Sequence, residues 1–174
     1  MPRWRLMPKV ATTVTATIAT PRAAFYEWLV PRVFFSELDT VLRDEAGFPG
    51  VTVTTGTTGP WDVPGSTRIV HLSDGTFCRE TVLAAAAPHY FAYRLTDFSS
   101  LRLRLLVREA NGQWWFTDDG AGTHAKWTYT AESRSLLAVP FLLPVIKVLW
   151  NRFMRSAIGN IKARAEKEVT GGMR

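Results

Sequence analysis

Apolar residues change period along this chain, and the changes mark out its elements. From Pro140 to Glu168 they keep helical time: Ile146, Trp150, Phe153, Met154, Ala157, Ile158, Ile161 and Ala165 recur at three- and four-residue steps and share one face. Lys147, Asn151, Arg152, Arg155, Lys162 and Glu166 take the other, and Gly171-Gly172 is a stop signal. Upstream, Val10 to Thr20 alternates as a strand. Thr20-Pro21 then opens a helix whose buried stripe is Ala24, Phe25, Trp28 and Leu29. Pro31 is expected to break that helix and start a second, with Phe34, Leu38, Val41 and Leu42 in phase.

From Val51 the period is two. Strands are predicted over Val51 to Thr57, Thr67 to Leu72, Phe77 to Ala85, Tyr90 to Leu95, Gln113 to Thr117 and Thr123 to Glu132. Ser73-Asp-Gly75 and Asn111-Gly112 read as tight turns. Leu101 to Val107 fits either a strand or an irregular edge segment, because Leu106 falls out of phase. Consecutive hairpins closed by one long amphipathic helix predict an α+β fold: a curved antiparallel sheet of six or seven strands wrapped around the C-terminal helix, with two short helices after the first strand. The expected domain runs from 10 to 168, between a basic extension at 1–9 and a short tail at 169–174.

At 174 residues, 47% apolar and 21% charged, the chain has enough material for one sizeable core. The net charge of +6 is carried mainly by arginine, and a diffuse positive balance is ordinarily a solvated surface. Arg102, Arg104 and Arg108 are the best candidates for a nucleic-acid edge, but no exposed aromatic residues interleave with them, so nucleic acid is not expected. Cys78 stands alone, which excludes an internal disulfide and suits a reducing, cytoplasmic setting. The most membrane-like run, Leu136 to Trp150, contains Lys147 and two prolines. It reads as too short to span a bilayer, yet Leu136 to Leu143 is able to touch one, making the chain peripheral to a membrane.

Several stretches resemble the helix-grip superfamily of START-related lipid-transfer domains, polyketide cyclases and pollen-allergen-type carriers. They are Thr20 to Leu29, Val63-Pro-Gly-Ser-Thr-Arg68 with Ser73-Asp-Gly75, Arg79 to Val82, Phe91 to Phe98, Gln113 to Tyr129 and the closing helix. The resemblance covers about residues 10 to 168. It implies a deep, mostly apolar pocket between sheet and long helix, with the short helices near its mouth; the superfamily shares a cavity and no single chemistry.

Alternation places Tyr93 with Phe91 and Leu95, Trp127 and Tyr129 with Ala125, and Glu80 with Cys78 and Val82. Each is readable as plain core or as pocket wall. An interior Glu80 needs a partner, with Arg68, Arg79 or a tyrosine hydroxyl in reach. His71 is a second candidate acid or base, though a surface histidine is the commoner case. His71, His89 and His124 have no metal-ligand spacing, Asp118-Asp119 fits turn chemistry, and no nucleophile elbow or phosphate loop occurs, so neither metal nor cofactor is expected.

The resulting expectation is binding or transport of a hydrophobic small molecule, lipid or polyketide-like, against Tyr93, Trp127, Tyr129, Phe153, Met154, Ala157 and Ile158. The alternative is a cyclase, aromatase or dehydratase in which Glu80 or His71 moves the proton. A membrane-associated interaction protein is the third class. No catalytic residue is fixed by the sequence, and oligomeric state is not legible in it.

Overall fold

The computed structural model describes residues 7–45 and 47–171; most of the basic extension and the glycine stop at 172 lie outside the described residues. Seven strands form a single antiparallel sheet: β1 (Lys9–Ile18), β2 (Val51–Thr55), β3 (Thr67–Leu72), β4 (Phe77–Ala86), β5 (Tyr90–Thr96), β6 (Val107–Asp119) and β7 (Gly122–Ser133). The spatial order is β1-β7-β6-β5-β4-β3-β2. The chain's first strand thus rejoins the last, and β1 and β2 become the two edges. The register breaks at Val51/Val53, Val82/Ala84 and Val107/Glu109, the kind of irregularity at which strands bend.

One helix of 35 residues, Leu136–Thr170, lies in the concavity. Its inward stripe is the one read from the sequence: Ile146, Phe153, Met154, Ala157, Ile158, Ile161 and Ala165 are buried. At about 1.5–3 kcal/mol for each large apolar side chain, this stripe is the main adhesive between helix and sheet. Val169 and Thr170 continue the helix beyond the expected end at 168, and the Thr170 hydroxyl donates to the Ala19 carbonyl.

Three sequence readings are corrected. Pro31 does not break its helix: Arg22–Trp28 continues through a π-helical turn, Leu29–Val33, whose wider bonding absorbs the proline's missing donor. Pro144 is likewise followed by a π-helical turn, Val145–Trp150. Leu101–Leu106 is a short helix, capped by the Ser100 hydroxyl accepting from the Leu103 amide, so Leu106 is in phase after all. Asn111-Gly112 is no turn but the middle of β6, where Gly112 pairs with Tyr93 on one side and Tyr129 on the other.

The C-terminal half of the long helix is tied down by polar side chains. Arg164 donates to Glu37 (2.5 Å) and Glu168 (2.9 Å), Arg32 to Glu37 (2.9 Å) and Glu168 (3.2 Å), and the Trp28 indole to Glu168 (3.0 Å). Asn160 and Lys162 reach the carbonyls of Val41 and Thr17. The Arg164 and Arg32 hydrogen bonds hold the Glu37 carboxyl below its ordinary pKa of 4.5. The Trp28 N–H and then Arg164 do the same for Glu168.

Depressed folded-state values mean that the unfolded chain binds more protons near pH 4. The stabilisation is therefore complete above the ordinary glutamate pKa and is lost as pH falls through the lower folded values. Glu37→Gln is expected to lower the melting temperature by about 2–4 °C at pH 7 for a loss near 1 kcal/mol. Scanning calorimetry from pH 7 to pH 3 should show the gap between variant and wild type closing; a gap constant with pH rules the assignment out.

Candidate functional site

Bending a sheet around a helix leaves room where the helix is not pressed against it. One cavity of this kind lies under the first half of the long helix and encloses about 90 Å³. Its floor comes from β3 to β7, through Val70, Cys78, Glu80, Tyr93, Trp127 and Tyr129; its roof is Val145, Ile146, Trp150 and Phe153. Ser100 and Leu103 of the short helix close one side, and Phe48 and Pro49 the other. Trp150 is the hinge of an aromatic cluster, with ring centroids 4.7 Å from Tyr129, 4.8 Å from Phe153 and 4.9 Å from Phe48.

The deep end is polar. Arg68 is 1% exposed, and its Nε and Nη2 both donate to Glu80 Oε2, at 2.8 and 2.7 Å. Its Nη1 donates to the carbonyls of Phe34 and Phe35, and its guanidinium carbon sits 3.7 Å from the centre of the Trp61 ring. A buried ion pair carries a large desolvation cost, offset here by added hydrogen bonds on the cation. A small chamber of about 20 Å³, enough for one water, adjoins it between Arg68, Glu80, Tyr93, Trp61, Trp114 and Trp127. The indole N–H groups of Trp61, Trp114 and Trp150 are buried and lack protein acceptors. Three unpartnered donors among the residues lining two neighbouring voids are an unusual concentration.

Tyr93 is the key donor. The Trp127 Nε1–H donates to its hydroxyl oxygen (3.2 Å), so the phenol's own proton remains free. Burial, and after it the charge of Glu80, holds the Tyr93 pKa well above its ordinary value of 10. It is a neutral hydrogen-bond donor under any physiological condition, not a base. Burial pushes Tyr129 up as well, and drives the Cys78 thiol to about 12 with Glu80 adding to the effect. Gly112 makes room for this arrangement: a Cβ there would overlap the Tyr93 ring.

Of the residues named from sequence, Glu80, Tyr93, Trp127, Tyr129 and Phe153 meet in the cavity wall. Met154, Ala157 and Ile158 do not; they are buried further along the helix, packed into the core. The helical stripe is longer than the void beneath it, and periodicity does not tell wall from core. His71 lies outside the cavity, paired through Nε2 to the Thr55 hydroxyl (2.8 Å), because strand alternation turns it away from Arg68 and Val70. Arg68 was legible only as one of three partners for Glu80. Counting back from the Ser73-Asp-Gly75 turn decides it, since the two are directly paired across β3 and β4. Trp150, Phe48 and Leu103 were missed as site residues. Among the described residues no group of three or more His, Cys, Asp or Glu side chains is placed to hold a metal ion.

A bent antiparallel sheet, a long helix gripped in it and an apolar cavity between them define a helix-grip ligand-cavity fold. The sequence matches the family described as polyketide cyclase / dehydrase and lipid transport over residues 7–166, and the chain belongs to that family. Among similar solved structures is norcoclaurine synthase from Thalictrum flavum, in complex with dopamine and hydroxybenzaldehyde. Its TM-score is 0.68 at 10% identity, covering 94% of this chain and 90% of that one. Major latex-like protein 151 from Panax ginseng gives 0.65 at 13% identity, covering 90% and 97%. Ara h 8.0201 gives 0.64 at 13%, covering 88% and 98%. At these identities the likeness is one of fold. No curated protein sequence is significantly similar to the chain.

Two outcomes test the geometry. Gly112→Ala forces Tyr93 to move and is expected to destabilise by about 1–3 kcal/mol, the usual cost of overpacking. Denaturant unfolding measures it, and a neutral effect contradicts the Tyr93 placement. Cys78 should resist a thiol reagent such as dithionitrobenzoate at pH 8 in the folded protein and react fully in denaturant. Rapid labelling of folded protein contradicts its burial.

Proposed function

We propose that the chain binds a hydrophobic small molecule, lipid or polyketide-like, in this cavity and acts as its carrier or sensor. The observation that carries the reading is the composition of the wall: aliphatic and aromatic along its length, polar only at the Tyr93–Glu80–Arg68 end. Such a site selects an apolar body with one polar end. The Tyr93 hydroxyl offers a proton to a carbonyl or ether oxygen, and Glu80 accepts from a hydroxyl. A void of about 90 Å³ is smaller than the ~150 Å³ that admits benzene to an apolar cavity. A whole ligand of this class therefore enters only as Trp150, Phe48 and Leu103 turn aside. A cytoplasmic setting, at or near a membrane, suits this reading.

A specific observation also supports the enzymatic reading. A buried carboxylate and a buried phenol face one cavity, the pairing needed to move a proton beside a polarised carbonyl. The family's description includes cyclases and dehydrases, and norcoclaurine synthase shares the fold. In that reading Glu80 is the proton-transfer group and Tyr93 orients the carbonyl. His71 has no part in it, being outside the cavity.

Native mass spectrometry of freshly purified protein is the first test, with a co-purifying apolar molecule expected. Leu103→Trp fills the side of the void and should weaken binding of that molecule at least tenfold, about 1.4 kcal/mol, without unfolding the chain. Tyr93→Phe should weaken oxygen-bearing ligands and spare hydrocarbons. Undiminished binding in Leu103→Trp sinks the cavity assignment. Glu80→Gln leaves Arg68 without its counter-charge, so it is compared only in protein that near-UV circular dichroism shows to be folded; there a carrier keeps its affinity, whereas an enzyme keeps binding and loses 10²-fold or more in turnover, as is typical of general acid–base groups.

A further inference from the structure

The first half of the long helix has its back to the cavity and its apolar side chains in solvent. Its 18-residue apolar window is only 22% buried. Leu137 is 84% exposed, Phe141 67% and Val148 52%. The short helix Leu101–Leu106 packs beside the start of the long one and adds Leu101 (59%) and Leu105 (64%). Isolated exposed leucines are ordinary, but five large apolar side chains on two adjoining helices form a surface that water does not favour.

The charge carried by these two stretches of chain is of one sign, with Asp97 and Glu109 next to Arg104 and Arg134 at one margin. From Ser133 to Ala165 the sequence has Arg134, Lys147, Arg152, Arg155, Lys162 and Arg164 and no acidic residue. From Phe98 to Arg108 it has Arg102, Arg104 and Arg108 and again no acid. Arg164 and Arg108 are engaged with glutamates, and Arg155 donates to Asn151. Among the described residues Arg102, Arg104, Arg134, Lys147 and Arg152 make no ion pair, and all are exposed. Apolar side chains flanked by unpaired cations match the interface of an anionic bilayer, where hydrocarbon lies just beneath phosphate.

We propose that the outer face of these two helices docks on the surface of an anionic membrane. Leu137, Phe141, Leu101 and Leu105 enter the acyl boundary, while Arg102, Arg104 and Lys147 contact lipid phosphates. The helix does not cross the bilayer, although its apolar window is long enough, because its continuation from Asn151 is held in the sheet by Phe153, Met154 and Ile158 and by the Asn151–Thr12 hydrogen bond. The inner sides of the same helices, through Leu103, Val145 and Ile146, line the cavity. The docked wall is thus also the cavity wall. The docking surface rests on exposure and charge and stands without the ligand reading.

The test is flotation of the full chain with vesicles of phosphatidylcholine alone and of phosphatidylcholine mixed with phosphatidylglycerol. Binding to the mixed vesicles is expected, weakening with added salt and reversed by high-salt or carbonate washing. Leu137→Glu/Phe141→Glu and, separately, Arg102→Glu/Arg104→Glu should each reduce it by about tenfold or more. Near-UV circular dichroism checks that the variants remain folded. Leu103→Trp should block ligand binding and leave vesicle binding intact, which keeps the two readings separable. Binding that neither double variant alters overturns the proposal, as does resistance to carbonate, which would mark a spanning helix. A dimer in sedimentation analysis that fails to float and dissociates in Leu137→Glu/Phe141→Glu also overturns it, giving the face to a second copy.

Discussion

One asymmetry governs the molecule: the long helix is bonded to the rest of the fold along one half only. From Asn151 onward its side chains reach Thr12, Thr17, Ala19, Glu37 and Val41, and its apolar stripe is sealed against the sheet. From Leu136 to Trp150, among the described residues, no side chain makes a hydrogen bond, and the contacts are apolar with a void behind them. The tied half carries the fold, leaving the loose half available for other uses. Opening a wall built from dispersion contacts breaks no ion pair and strands no buried charge.

The deep end obeys the opposite logic. Arg68 and Glu80 stand opposite each other across β3 and β4, with carbonyls from the leading helix completing the guanidinium's bonds. Removing either partner leaves a buried charge, so this end is rigid. On the proposed reading, a cavity with a fixed polar floor and a yielding apolar roof would read a ligand in two ways: its polar group would have to satisfy fixed geometry, and its apolar body would meet walls that adapt.

The architecture was largely legible in the sequence because its periods are long and unambiguous. The helical stripe beyond Pro140 and the strands from Val51 come out as read, and β1 at the far edge follows from the need to close the meander. Failures came where a local signal competed with a tertiary one. Asn111-Gly112 has the composition of a turn, but its glycine answers to Tyr93 on the neighbouring strand, which no local pattern encodes. Pro31 was read as a break because the wider π turn that accommodates it leaves no compositional trace. The site was half legible. Alternation found the inward residues of the sheet, whereas wall and core on the helix differ only in whether the bent sheet recedes. That is a property of the sheet's curvature, which no helical period encodes.

The Gly112–Tyr93 contact makes cavity depth a property of two positions that act together. The ring occupies space that any side chain at 112 would need, and its hydroxyl is held there by Trp127. A smaller residue at 93 alone deepens the void beside an already bare glycine, and a larger residue at 112 alone drives the ring into the chamber. Only a paired exchange keeps the floor intact while moving it. On the proposed reading such a pair would work as a depth stop: it would set how far a molecule penetrates before it meets the buried charges.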